Sequence, residues 1–178
     1  MLEIGTYRGA SALALLAGSQ IAGYRVSLIT VDPYGLLDYT LPNGKNVRTV
    51  DDKCYRGMMR VMSKYCAKYN MRHVHYKMTD REFIEVVHPH LNFYLDNQVL
   101  SKPQFSFVFL DAQHTPDDVV RQAKWAVANL VPGGSVTIDD AVFNEHTPVR
   151  EALQKEFPQG EILDIGGAKL FFVIESKP

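Results

Sequence analysis

Apolar residues in this chain come in short bursts. Runs of strand length at Met1–Ile4, Arg25–Val31, Arg72–Lys77, Phe105–Leu110 and Ser135–Ile138 alternate with segments long enough for helices: Ala10–Ser19, Asp51–Asn70, Asp80–Val99, Pro116–Leu130 and Pro148–Phe157. That alternation predicts an α/β fold with a mostly parallel sheet covered on both faces. Two helix starts are marked by Thr115-Pro116 and Thr147-Pro148, where the hydroxyl can cap and the proline ring costs no hydrogen bond. Near the end, Glu161–Ile165 and Lys169–Glu175 are strand runs split by Gly166-Gly167, which predicts an antiparallel hairpin. Tyr34–Val50 is polar, with Gly35, Pro42 and Gly44, and reads as a mobile loop.

Composition narrows the function classes. With 178 residues, 46% of them apolar and 22% charged, the chain can bury one sizeable core, so a single domain over 1–178 is expected. A formal charge of -1 supplies no global pull toward nucleic acid or anionic membrane, although a local patch could provide one. A small-molecule partner is therefore expected, and nucleic acid is not. Cys54 and Cys66 lack metal-ligand spacing, no targeting segment stands at the start, and no run of about twenty apolar residues occurs. A cytoplasmic protein without a membrane span is the expectation.

The first candidate chemistry lies in "LEIGTYRGAS". A strand ending at Glu3-Ile4, then Gly5-x-x-x-Gly9, then a helix, is a turn that lets backbone approach a ligand and aims helix amides at an anionic group. Asp32, ending the next strand, is placed to accept from ribose hydroxyls. The dinucleotide fingerprint Gly-x-Gly-x-x-Gly is not met, which counts against a nicotinamide cofactor. An ordinary tight turn is the plain alternative.

Together "LEIGTYRGASALALLA", "VDPYG", "FVFLDAQHTPDDV" and "LVPGGSVTIDDA" resemble the class I S-adenosylmethionine-dependent methyltransferases. Within them the chain is most similar to the metal-dependent O-methyltransferases of macrolide sugars, cephalosporin precursors and related hydroxyl compounds. The resemblance runs from Leu2 to the last strand and implies a Rossmann-like seven-stranded sheet with an antiparallel C-terminal strand. It implies that Gly5, Thr6, Tyr7 and Gly9 line the methionine part of S-adenosylmethionine, with Ser11 near its carboxylate, Glu3 supporting the loop and Asp32 on the ribose. Tyr34 and the Thr79-Asp80 turn would flank ribose or adenine, although Met78 stands where glycine is common. Family members carry helices ahead of the first strand. Here the sequence begins at that strand: either it is a fragment, or it is naturally compact and the site's cover would come from Tyr34–Val50 or a partner subunit, and a homodimer is one option.

Asp111 ends the fourth strand and Asp139-Asp140 the fifth, where open α/β sheets bind ligands. Converging carboxylates repel unless a cation lies among them, so a hard divalent ion such as Mg²⁺ is expected on Asp111, Asp139 and Asp140. Such an ion would bind the acceptor hydroxyl of a small molecule and lower its pKa. Capping duty is the alternative for the Asp139-Asp140 pair. Related sugar methyltransferases often place an acid base two positions after the first ligand, but here that residue is Gln113. His114 is the candidate base, His146 a poorer one, and His114 could instead pack under the next helix or bind the cofactor.

Lys53, Arg56, Arg60, Lys64, Lys68 and Arg72 recur at helical spacing, while Met58, Val61, Met62, Tyr65 and Tyr69 mark another face. A functional reading has this stripe meeting an acidic substrate or RNA, but a solvated face is the expectation. Trp125 is expected in the core. Two further readings stay open: a non-catalytic cofactor-binding module or regulatory subunit, and an RNA cap methyltransferase, whose lysine-aspartate-lysine-glutamate set is not evident.

Overall fold

A computed structural model describes residues 1–35, 38–40, 46–48, 52–95, 98–101, 103–112, 115–139, 147–165 and 169–177. In chain order the elements are β1 (Leu2–Ile4), α1 (Ala10–Ile21), β2 (Ser27–Val31), β3 (Asp38–Thr40), β4 (Asn46–Arg48), α2 (Asp52–Tyr69) and β5 (Arg72–Tyr76). There follow α3 (Asp80–Glu82), β6 (Asn92–Leu95), β7 (Gln98–Ser101), β8 (Phe105–Leu110), α4 (Pro116–Ala128), β9 (Leu130–Ile138), α5 (Thr147–Glu156), β10 (Glu161–Ile165) and β11 (Lys169–Glu175). Seven strands form one sheet in the order β10-β11-β9-β8-β1-β2-β5. The contacts β9-β8, β8-β1, β1-β2 and β2-β5 are parallel, while β11 runs antiparallel to both its neighbours. This is the mixed sheet that the strand and hairpin signals predicted.

Alternation along the buried strands divides the interior into two cores. Leu2, Ile4, Ile29, Val31, Val108, Leu110, Val136 and Ile138 point to the layer of α4 and α5, where they meet Val119, Ala123, Val149 and Leu153. Leu28 points to the opposite layer, packing with Ala12 and Leu16 of α1 and with Met58, Met62 and Cys66 of α2. Trp125 is partly buried against the first core, edge-on to Phe83 and His88, in line with its expected place. Thr115 caps α4 by accepting from the Asp118 amide, as its Thr-Pro signal implied.

Three expectations need correction. Asp80–Val99 is not one helix: α3 widens into a π-helical turn over Phe83–Val87, tightens into a 3-10 turn at His88–His90 and stops. Pro89 removes a backbone donor there, and the β-rich Asn92–Ser101 run pairs as the β6-β7 hairpin instead. Tyr34–Val50 is not simply a loop, since β3 and β4 within it pair antiparallel. Finally, β9 begins at Leu130 and not at Ser135, because Leu130 pairs with Phe105 before the register shifts and resumes at Ser135 opposite Phe107. Among the described residues, no helix is long and apolar enough to cross a membrane.

Candidate active site

The parallel strands deliver their carboxyl ends to one edge, and backbone hydrogen bonds lace those ends together. The Gly5 amide donates to Val31 at 2.9 Å, Asp111 to Ile4 at 2.8 Å, Asp139 to Leu110 at 2.9 Å and Asp32 to Tyr76 at 3.2 Å. Gly5, Asp32, Asp111 and Asp139 are therefore held along one rim. At Gly5, φ is +92° and a Cβ would stand 2.0 Å from the Asp111 carbonyl oxygen, so only glycine lets these two turns meet. Gly9 has φ +79°, and a Cβ there would meet Met58 Cγ at 2.6 Å, which sets how closely α2 approaches the start of α1.

Asp32 is a cross-brace. Its Oδ2 accepts from the Tyr7 amide at 2.9 Å and its Oδ1 from the Tyr34 amide at 3.0 Å, while the Tyr34 hydroxyl donates to the Tyr7 carbonyl. Tyr7 sits in the left-handed region at φ 48°, exposed, with the Arg8 guanidinium 5.3 Å from its ring centre. Each carboxylate oxygen has a second lone pair, so bracing does not use up the acceptor capacity of Asp32. Tyr34 is 1% exposed and packs on Tyr55 and His75, so it supports the turn from beneath. Burial pushes its phenol above the usual value.

Beneath the turn lies Glu3. Strand alternation sends Leu2 and Ile4 to the first core, and Glu3 to the other face between Thr30 and Phe109. It is fully buried, and desolvation, partly offset by the nearby Ser11 and Thr6 hydroxyls and reinforced by Asp111 and Asp32, raises its pKa to about 7. Those hydroxyls stand close enough to favour the anion, but neither meets hydrogen-bond geometry: both Glu3 oxygens and Thr6 Oγ lack a partner among the described residues. A buried carboxyl with no donor is a costly arrangement that a site tolerates when a ligand or water answers it.

The Thr79-Asp80 turn is committed to structure. Thr79 and Glu82 form a reciprocal capping box. Asp80 is buried and accepts from Arg121 and, at 2.8 Å, from Gln122, both on α4. Asp139 is 5% exposed and Asp111 half-buried at neighbouring strand ends, and both are engaged in interactions. Two hard oxygen donors on adjacent ends suit a divalent cation, but no group of three His, Cys, Asp or Glu close enough to hold one occurs among the described residues. Asp140, Gln113, His114 and His146 lie outside the described residues.

One polar cluster was not foreseen. Thr30 Oγ lies 2.8 Å from both His73 Nε2 and His75 Nδ1, and burial lowers each imidazole to a pKa of about 4. The signal was the His-x-His spacing on β5, which puts both rings on one face of the sheet.

Comparison with known proteins can now be set against this geometry. Residues 2–141 match the family model described as a methyltransferase domain. CalS11, a calicheamicin methyltransferase, superposes with a TM-score of 0.71 at 13% identity, over 98% of this chain and 71% of its own. The O-methyltransferase TomG of Streptomyces achromogenes, in complex with S-adenosylmethionine, gives 0.58 at 14% over 99% and 72%. The Bacillus cereus O-methyltransferase, in complex with S-adenosylhomocysteine, gives 0.55 at 16% over 99% and 73%. No curated protein matches the chain in sequence.

Proposed function

Because the chain belongs to the methyltransferase domain family, we propose that it is an S-adenosylmethionine-dependent O-methyltransferase acting on a hydroxyl of a small molecule, with a divalent cation at the carboxylate rim. The observation that carries this reading is the glycine turn seated on the Asp111 backbone, with Asp32, Asp111 and Asp139 along the same edge. Gly5, Thr6, Tyr7, Gly9 and Ser11 would surround the methionine part of the cofactor, over Glu3, and Asp32 would accept from the ribose hydroxyls. When bound, S-adenosylmethionine supplies an electrophilic methyl group on a sulfonium. Asp111, Asp139 and Asp140 would hold the cation, which supplies a lower pKa to the acceptor hydroxyl. His114 would take the hydroxyl proton, and Asp111 would orient the acceptor. Transfer is an in-line displacement at carbon, so the main service of these residues is alignment.

The reading draws on similarity to TomG and the Bacillus cereus enzyme for the cofactor, and to CalS11 for a sugar-type hydroxyl as acceptor. Radiolabelled methyl transfer to a panel of sugar and phenolic hydroxyl compounds tests it. Turnover should require Mg²⁺, and Asp139→Asn should lower it at least a hundredfold, while cofactor affinity changes less than threefold. Turnover indifferent to EDTA removes the cation from the account; absence of cofactor binding removes the account.

A further inference from the structure

The net charge of -1 conceals a separation of charge along the chain. Residues 4–31 and 53–79, which carry α1, β2, β5 and all of α2 but its first residue, Asp52, contain nine of the 19 Lys and Arg and none of the 20 Asp and Glu. All the acids lie elsewhere. On α2 the separation becomes a surface: Lys53, Arg56, Arg60, Lys64 and Lys68 are all exposed. At 100° per residue they fall within an arc of about 120°, centred directly opposite the buried Met58, Met62 and Cys66. Successive members stand about 6 Å apart along the axis. Asp52, the one acid of α2, is paired with Lys77 at 2.6 Å, and Arg56, Arg60 and Lys64 make no ion pair among the described residues.

We propose that this face of α2 binds the phosphodiester backbone of a nucleic acid. Between and beside the cations lie the small exposed residues Gly57, Ser63 and Ala67, with Val61, 49% exposed, at one edge. Protein interfaces put aromatic and apolar residues at their centre and deplete lysine, which this stripe does not match. A membrane-surface helix needs its own apolar face in the lipid, and that face of α2 is spent on the core. A run of phosphates requires no apolar contact at all, since counterion release supplies the free energy. Tyr65 and Tyr69, 4.6 Å apart, are half-buried against the second core, with Lys68 4.9 Å over the Tyr69 ring. The proposal does not depend on the methyltransferase reading, because the stripe points away from the core and needs no cofactor.

Fluorescence anisotropy of the full chain with labelled 20-nucleotide single-stranded RNA, single-stranded DNA and duplex DNA tests it, without cofactor. At about 50 mM salt at least one of these should bind with micromolar affinity, and five phosphate contacts on a single strand give a log–log salt slope of about −3.5. The triple variant Arg56→Gln, Arg60→Gln, Lys64→Gln should keep its far-UV circular dichroism, lose at least tenfold in affinity and lower the slope by about 2. A control with Lys155→Gln and Lys177→Gln should bind like the parent. Which probe binds most tightly identifies the nucleic acid. No binding to any of the three, equal binding by the folded triple variant, or binding confined to vesicles of anionic lipid would each overturn the proposal.

Discussion

A glutamate in the middle of a sheet costs free energy unless something answers its charge. Glu3 is fully buried with both oxygens unpartnered among the described residues, and its pKa is raised from 4.5 to about 7. The unfolded chain therefore loses this proton at lower pH than the folded one. Between about pH 4.5 and 7 the folded state holds more protons, so stability falls as pH rises, by about 3 kcal/mol in all. Glu3→Gln should abolish that decline and be more stable than the parent at pH 8, measured by urea unfolding at pH 5 and pH 8. An unchanged pH dependence would mean that the carboxyl is not held neutral. The position of Glu3 could be read from the sequence through its place before Gly5; its lack of a partner could not, because that depends on how α1 packs over the strand.

At the scale of elements, β2 and β5 are joined through a threonine. The Thr30 hydroxyl can donate once, so one of His73 and His75 accepts its proton and the other donates to its oxygen. Thr30→Val keeps the volume but strands two buried ring nitrogens, and should cost about 2–3 kcal/mol in chemical denaturation. Both imidazoles stay neutral down to a pKa of about 4, below their ordinary 6.5, so the unfolded state gains protons first and this pair's contribution is lost as pH falls through that window. A Thr30→Val variant as stable as the parent would show that the hydroxyl is not the link. Elements were legible where chemistry punctuates them. Thr115-Pro116 marked α4, Gly166-Gly167 separated β10 from β11, and the apolar run at Phe105–Leu110 was β8 to the residue. Where the pattern was ambiguous it misled: the apolar residues of Asp80–Val99 suit a helix as well as a hairpin, and the break follows from Pro89 together with β-branched and aromatic residues.

For the whole molecule, the parallel strand ends gather residues far apart in sequence. Gly5 meets Asp111 across more than a hundred positions, and motif order alone brought them to one rim. What the sequence did not disclose is how many of the candidate residues serve the scaffold. Asp32 braces two turns, Tyr34 lies under one and Asp80 anchors α4, each through contacts that only packing defines. The same layering sorts charge, leaving α1 and α2 without an acid apart from Asp52.

Hydrogen exchange of the unmodified chain, with and without S-adenosylhomocysteine, tests the central claim most directly, since it asks where the cofactor sits without altering any residue. The account predicts slowed exchange confined to the amides of residues 5–11, 32–35 and 111–112. Unchanged exchange in those segments at saturating cofactor, or protection at the opposite ends of the strands, would contradict it.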